Sequence, residues 1–103
     1  MKLYDYEILE RVEASGGWKL EDGKWIVKKY RFVAFLDAIA FVNEVAQASE
    51  RLNHHPFIAI DYKLVTLRMT SWHAGGLTEL DFTAAAEFDS AYSKLSHNDI
   101  ERP

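Results

Sequence analysis

Residues 49–73, SERLNHHPFIAIDYKLVTLRMTSWH, decide the fold. Their first residues end a helical pattern. Asn53 tolerates the left-handed conformation that closes helices. Pro56 cannot continue a helix and biases His55 toward extended backbone. Two runs with apolar residues at every second position follow, Ile58, Ile60 and Tyr62, then Val65, Leu67 and Met69. Only Tyr62-Lys63 separates them, so the two strands must pair antiparallel. The stretch therefore reads as a helix end, a stiff junction carrying His54 and His55, and a hairpin that runs out at Trp72-His73.

Upstream, RFVAFLDAIAFVNEVAQASERLN predicts a long helix over 32–52. Phe32, Phe35, Leu36, Ile39, Val42 and Ala46 form one apolar stripe at helical spacing, and Phe41, Val45, Ala48 and Leu52 form a second, offset one. A single sheet covers one stripe. The other calls for a second subunit or for cover by the shorter terminal helices. Before this helix, Asp22-Gly23 sits between two strand-like runs, a hairpin signal. Trp18 and Leu20 alternate with polar residues ahead of the turn, and Trp25 and Val27 stand at alternate positions after it. DYEILERVEASGG reads as a short helix with Ile8, Leu9 and Val12 on one face, stopped by Gly16-Gly17.

Downstream, HAGG is a loop, and LTELDFTAAAEFDSAYSKL is a last helix with Leu80, Ala84, Phe88 and Tyr92 at helical spacing. Thr78 is its expected N-cap, and Asp81 completes a capping-box-like arrangement. The order α-β-β-α-β-β-α implies an α+β fold, a four-stranded antiparallel sheet with three helices on one face. Residues 1–95 form one domain, and 96–103 read as a loose polar tail.

The 103 residues are 49% hydrophobic and 14% aromatic, enough for one packed core. The absence of cysteine excludes disulfides and thiolate chemistry and fits a reducing cytoplasm. A formal net charge of -4 argues against binding nucleic acid by phosphate neutralisation. The local cluster Lys24, Lys28, Lys29 and Arg31 is the usual dress of an edge strand. Neither a signal peptide nor a membrane span is expected: Asp37 breaks the longest apolar run.

His54 and His55 are the sharpest chemical feature. Imidazole is the side chain whose ordinary titration lies near neutrality, so it can both give and take protons there. The alternative is that one histidine caps the helix C-terminus and the other is merely exposed. A metal site from His54, His55 and His73 is disfavoured by spacing, since sequence neighbours rarely ligate one ion. Trp72 is either a core residue or a flat wall for a planar ligand. Asp81 has the plain reading of a helix cap.

Taken together, Glu50, three residues, His54-His55-Pro56, five residues, Tyr62, nine residues, Trp72, eight residues and Asp81 form a spaced pattern. It resembles the signature of the pterin-4a-carbinolamine dehydratases, also known as the dimerisation cofactor of a liver homeodomain transcription factor. GGWKL, the hairpin, the RF before the long helix and HAGGLTELDF share the likeness, which extends from Tyr4 to Leu95.

The resemblance implies dimers joined at sheet edges and tetramers packed through the long helices. It implies dehydration of 4a-hydroxytetrahydrobiopterin, or a related tetrahydropterin, to quinonoid dihydropterin without metal or organic cofactor. By position, His54 would be the acid–base group nearest the 4a-hydroxyl. His55 would orient or assist, with Pro56, Trp72 and Asp81 contributing to the substrate site, Asp81 either orienting an imidazole or only capping its helix. The family's usual third histidine falls at Trp72, and His73 stands one place later. In a strand that shift would turn His73 to the opposite face, whereas at a strand end it need not, which leaves His73 as a candidate replacement for the third catalytic histidine. The implied consequence is slower dehydration or a different pterin preference. A non-catalytic binding or coactivator-like protein on the same fold is the alternative.

Overall fold

Asp22 and Gly23 both take positive φ (54° and 68°), and the turn they make joins the first two strands. The computed structural model describes the backbone of residues 1–101 and the side chains of residues 1–95. The elements are α1 (Asp5–Ala14), β1 (Lys19–Glu21), β2 (Trp25–Arg31), α2 (Phe35–Leu52), β3 (Phe57–Asp61), β4 (Leu64–Met69), a 3-10 turn (Trp72–Ala74) and α3 (Glu79–Glu101). The strands pair antiparallel in the order β1-β2-β4-β3, as the α+β reading requires. Of the tail expected to be loose over 96–103, the backbone of 96–101 continues α3 as helix, its side chains lie outside the described set, and 102–103 lie outside it altogether.

One sheet face carries the core. Ile26 and Tyr30 of β2 stand opposite Met69 and Val65 of β4, and all four are buried with Leu67. Ile8 of α1, Phe41 and Val45 of α2, and Phe88 of α3 close over them. The alternation in β2 left open which set faces the helices. Its apolar pair toward the helices is Ile26 and Tyr30, while Trp25 and Val27 face the other way. The register sets this, because partners across a strand pair share a face.

Two features of α2 differ from the reading. The helix starts at Phe35 rather than Phe32: its N-cap Ala34 is extended (φ -135°, ψ 151°), and the Phe32 N–H bonds to Lys63 O at 2.9 Å, beside the hairpin. The Phe32 ring packs 5.3 Å from both Phe41 and Tyr92. The core stripe is Ala38, Phe41, Val45 and Ala48. The other stripe is left over: Leu36 is 75% exposed and Phe35 44%. In β3, Ile58 and Ile60 share the core side by register, yet remain 38% and 43% exposed at the sheet edge. Tyr62 in the β3–β4 turn stacks on Phe35 at 6.5 Å, which joins the exposed edge to the uncovered face of α2.

A partly buried polar cluster ties α3 to the first hairpin. Asp89 accepts hydrogen bonds from Trp18 Nε1 at 3.1 Å, Lys28 Nζ at 2.8 Å and the Tyr30 hydroxyl at 2.6 Å. Burial, followed by the Asp89 hydrogen bond and charge, pushes the Tyr30 phenol far above its ordinary value. Among the described residues no helix is long and apolar enough to cross a membrane.

Candidate active site

The last turn of α2 delivers the histidines. Asn53 ends it in the left-handed conformation (φ 50°, ψ 46°), its N–H bonded to Glu50 O at 3.3 Å. The His54 N–H bonds back to Ser49 O at 3.0 Å. Ser49 is itself buried, its hydroxyl bonded to Val45 O at 2.7 Å. His54 is thereby fixed at the backbone before its ring makes any contact.

Its ring turns inward. His54 Nε2 lies 2.6 Å from Asp81 Oδ1, with the imidazole side chain 12% exposed and the carboxylate fully buried. The second oxygen of Asp81 accepts the Thr78 N–H at 2.9 Å and the Ser71 hydroxyl at 2.7 Å. Asp81 therefore does two things the sequence offered as alternatives: it caps α3 and it holds an imidazole. A carboxylate can only accept, and among the described residues Oδ1 has no partner but the His54 ring. The His54 proton is accordingly assigned to Nε2, which leaves Nδ1 with its lone pair for a ligand. Thr78 departs from a full capping box, because its hydroxyl pairs with Ser71 Oγ at 2.9 Å.

His55 takes a different partner. Its Nε2 lies 2.6 Å from Glu50 Oε2, and both side chains are exposed. Thus the two neighbouring imidazoles each meet a carboxylate, His54 toward α3 and His55 back toward α2. Half-buried Pro56 follows and leads into β3.

Trp72 is a surface residue, not a core one. It is 70% exposed and meets Trp25 edge-on, with ring centroids 5.2 Å apart. Phe57 lies 5.5 Å from Trp25, and the Arg68 guanidinium covers the Trp25 ring at 4.7 Å. A cavity of about 150 Å³ opens beside them, lined by Trp25, Thr70, Ser71, Trp72 and Gly75 among others. Ser71 is shared between this cavity and Asp81. His73 belongs to the same 3-10 turn as Trp72, so the alternation of strand faces does not apply to either residue. It is exposed and has no hydrogen-bond or ion-pair partner among the described residues. The structure does not join it to the His54–Asp81 pair. No group of three or more histidine, aspartate or glutamate side chains is placed to hold a metal ion among the described residues.

Sequence reasoning missed two members of this network. Ser71 carried no motif signal beyond a hydroxyl at the end of β4. Glu50 stood in the spaced pattern, but as a landmark rather than as the partner of His55.

Residues 1–91 match the family described as pterin 4 alpha carbinolamine dehydratase. Among curated relatives provisionally named pterin-4-alpha-carbinolamine dehydratases, one from Chloroflexus aggregans is 43% identical over 88 residues, covering 85% of this chain and 94% of the relative. Another, from Sinorhizobium medicae, is 44% identical over 91 residues, covering 87% of each. A solved structure titled as a transcriptional coactivator/pterin dehydratase from Brucella melitensis superposes with a TM-score of 0.85 at 29% identity, over 89% of this chain and 99% of that one. A pterin dehydratase-like protein identified as a RuBisCO assembly factor in the alpha-carboxysome shares the fold at 22% identity, with a TM-score of 0.64 over 74% of this chain and 89% of that one. On sequence and architecture alike, this chain belongs to the pterin-4-alpha-carbinolamine dehydratase family.

Proposed function

We propose that this protein dehydrates a 4a-hydroxytetrahydropterin to the quinonoid dihydropterin, with His54 as the principal acid–base group. The observation that carries the reading is the buried His54–Asp81 pair. A fully buried carboxylate at 2.6 Å fixes the ring and its tautomer, and one nitrogen remains for a ligand. Catalysis of proton transfer needs that kind of preset group.

The reaction breaks the C4a–O bond and forms the C4a=N5 double bond. The departing hydroxyl takes up a proton to leave as water, and N5 gives one up. Each cycle therefore requires one donor and one acceptor. His54, nearest the 4a-hydroxyl, takes up a proton at its free Nδ1 and passes it to the departing hydroxyl, with Asp81 stabilising the imidazolium in between. His55, supported by Glu50, assists the transfer at N5. Trp72 offers a flat apolar wall beside the cavity at Ser71, suited to a planar bicyclic ring, and Pro56 stiffens the junction that carries both imidazoles. His73 stands apart from this set and takes no part.

Self-association belongs to the same reading. The open β3 edge, with Ile58 and Ile60, suits pairing with a second copy, and the Phe35–Leu36–Ile39 face of α2 suits helix packing. The alternative, a non-catalytic binding protein on this fold, draws its support from the coactivator designation of the Brucella melitensis structure. The test is an assay of purified protein on a freshly generated 4a-carbinolamine. The expected result is water loss well above the buffer rate. A rate equal to buffer overturns the dehydratase reading and favours the alternative.

A further inference from the structure

We propose that Ser71 is a positioning residue, which fixes the tautomer of His54 by loading the far oxygen of Asp81. The proposal deepens the dehydratase reading and rests on it for its kinetic arm only. A hydroxyl has one proton to donate. Ser71 gives its proton to Asp81 Oδ2 at 2.7 Å, so the 2.9 Å contact between Ser71 Oγ and Thr78 Oγ1 requires Thr78 to be the donor there. A directed chain results, from Thr78 to Ser71 to Asp81, with His54 donating to the opposite oxygen at 2.6 Å. Each bond in such a chain polarises the next.

Three features make Ser71 a positioning residue rather than incidental packing. First, its backbone is held independently of its hydroxyl. Ser71 N–H bonds to Gly76 O and Gly76 N–H to Ser71 O, both at 3.3 Å. Loss of the hydroxyl therefore leaves the turn closed. Second, its acceptor is fully buried, so no bulk water stands ready to replace the lost donor. Third, Ser71 lines the cavity beside Trp72, where a bound ring would lie against the same residue that orders Asp81. Without the Ser71 proton, Oδ2 keeps the Thr78 N–H at 2.9 Å and only the long 3.5 Å contact of the Thr78 hydroxyl, so the carboxylate is held less firmly against His54.

The experiment compares wild type, Ser71→Ala and Ser71→Thr by two readouts. Nitrogen-15 NMR of the imidazoles reports the His54 tautomer whether or not the protein turns over. The expected result is a single Nε2–H form in wild type and in Ser71→Thr, and a mixture of tautomers in Ser71→Ala. Dehydration kinetics should show kcat lowered about tenfold in Ser71→Ala with KM within about twofold, and recovery in Ser71→Thr. A Ser71→Ala spectrum with His54 still wholly Nε2–H overturns the proposal, as does a raised KM with unchanged kcat. If wild type shows no turnover, the dehydratase reading fails while the NMR result still decides the role of Ser71.

Discussion

Replacing Asp89 with alanine should cost more stability than its partly exposed position suggests. The carboxylate is the shared acceptor for Trp18 Nε1, Lys28 Nζ and the Tyr30 hydroxyl. Trp18 and Tyr30 are only 2% and 1% exposed. Truncation strands two buried donors, each costing about 1–3 kcal/mol when unsatisfied. Lys28 loses less, because its ammonium still donates to Gly16 O at 2.9 Å and reaches water. With some water entering the vacated space, the sum is about 3 kcal/mol. For a domain of this size that lowers Tm by about 10–20 °C. Chemical denaturation gives the free energy, and a double-mutant cycle with Tyr30→Phe tests the cause. Tyr30→Phe should cost about 1 kcal/mol in wild type and nothing, or less than nothing, beside Asp89→Ala, where it removes an orphaned hydroxyl. A loss below about 0.5 kcal/mol for Asp89→Ala, or an equal Tyr30→Phe cost in both backgrounds, refutes the reasoning.

Three further outcomes follow from the geometry. Asp81→Asn should keep the fold but lower kcat about 10²–10⁴-fold, because its amide turned toward His54 Nε2 moves the ring proton to Nδ1; unchanged kcat contradicts the tautomer assignment. Tyr30 holds its proton more tightly folded than unfolded, so its contribution is intact below the ordinary phenol range. Stability should then fall by about 1.4 kcal/mol per pH unit as the unfolded phenol ionises above about pH 10, and Tyr30→Phe should remove that slope. Asn53→Gly should be nearly neutral in thermal denaturation, whereas Asn53→Val should cost at least about 1 kcal/mol, because a β-branched residue resists the observed φ of 50°.

Much of the fold was legible because its signals are local. Asp22-Gly23, the Asn53–Pro56 helix stop and the short Tyr62-Lys63 connection each specify a turn within a few residues, and the antiparallel sheet follows from them. What periodicity left open was which face wins. Trp25 and Ile26 are both apolar neighbours in β2, and only pairing with β4 decides that Ile26 goes inward. The two stripes of α2 posed the same problem, and packing against Phe88 and the sheet chose Phe41 and Val45. The start of α2 shifted to Phe35 because Ala34 is extended, with the Phe32 backbone bonded to Lys63, which is distant in sequence.

The site was legible where the resemblance supplied spacing and opaque where the chemistry joins separate elements. His54 and Asp81 stand 27 residues apart, and nothing local says that they touch. Asp81 looked like a cap because it is one, and its other oxygen was free for a second role. Ser71 enters through tertiary contact alone. His73 drew notice as a replacement histidine only while the segment was read as the end of a strand.

The most direct test of the account is the dehydration rate of wild type against His54→Ala, with circular dichroism confirming that both are folded. The account predicts clear acceleration by wild type and a loss of about 10²-fold or more in the variant. A folded His54→Ala protein that dehydrates the carbinolamine as fast as wild type would contradict it.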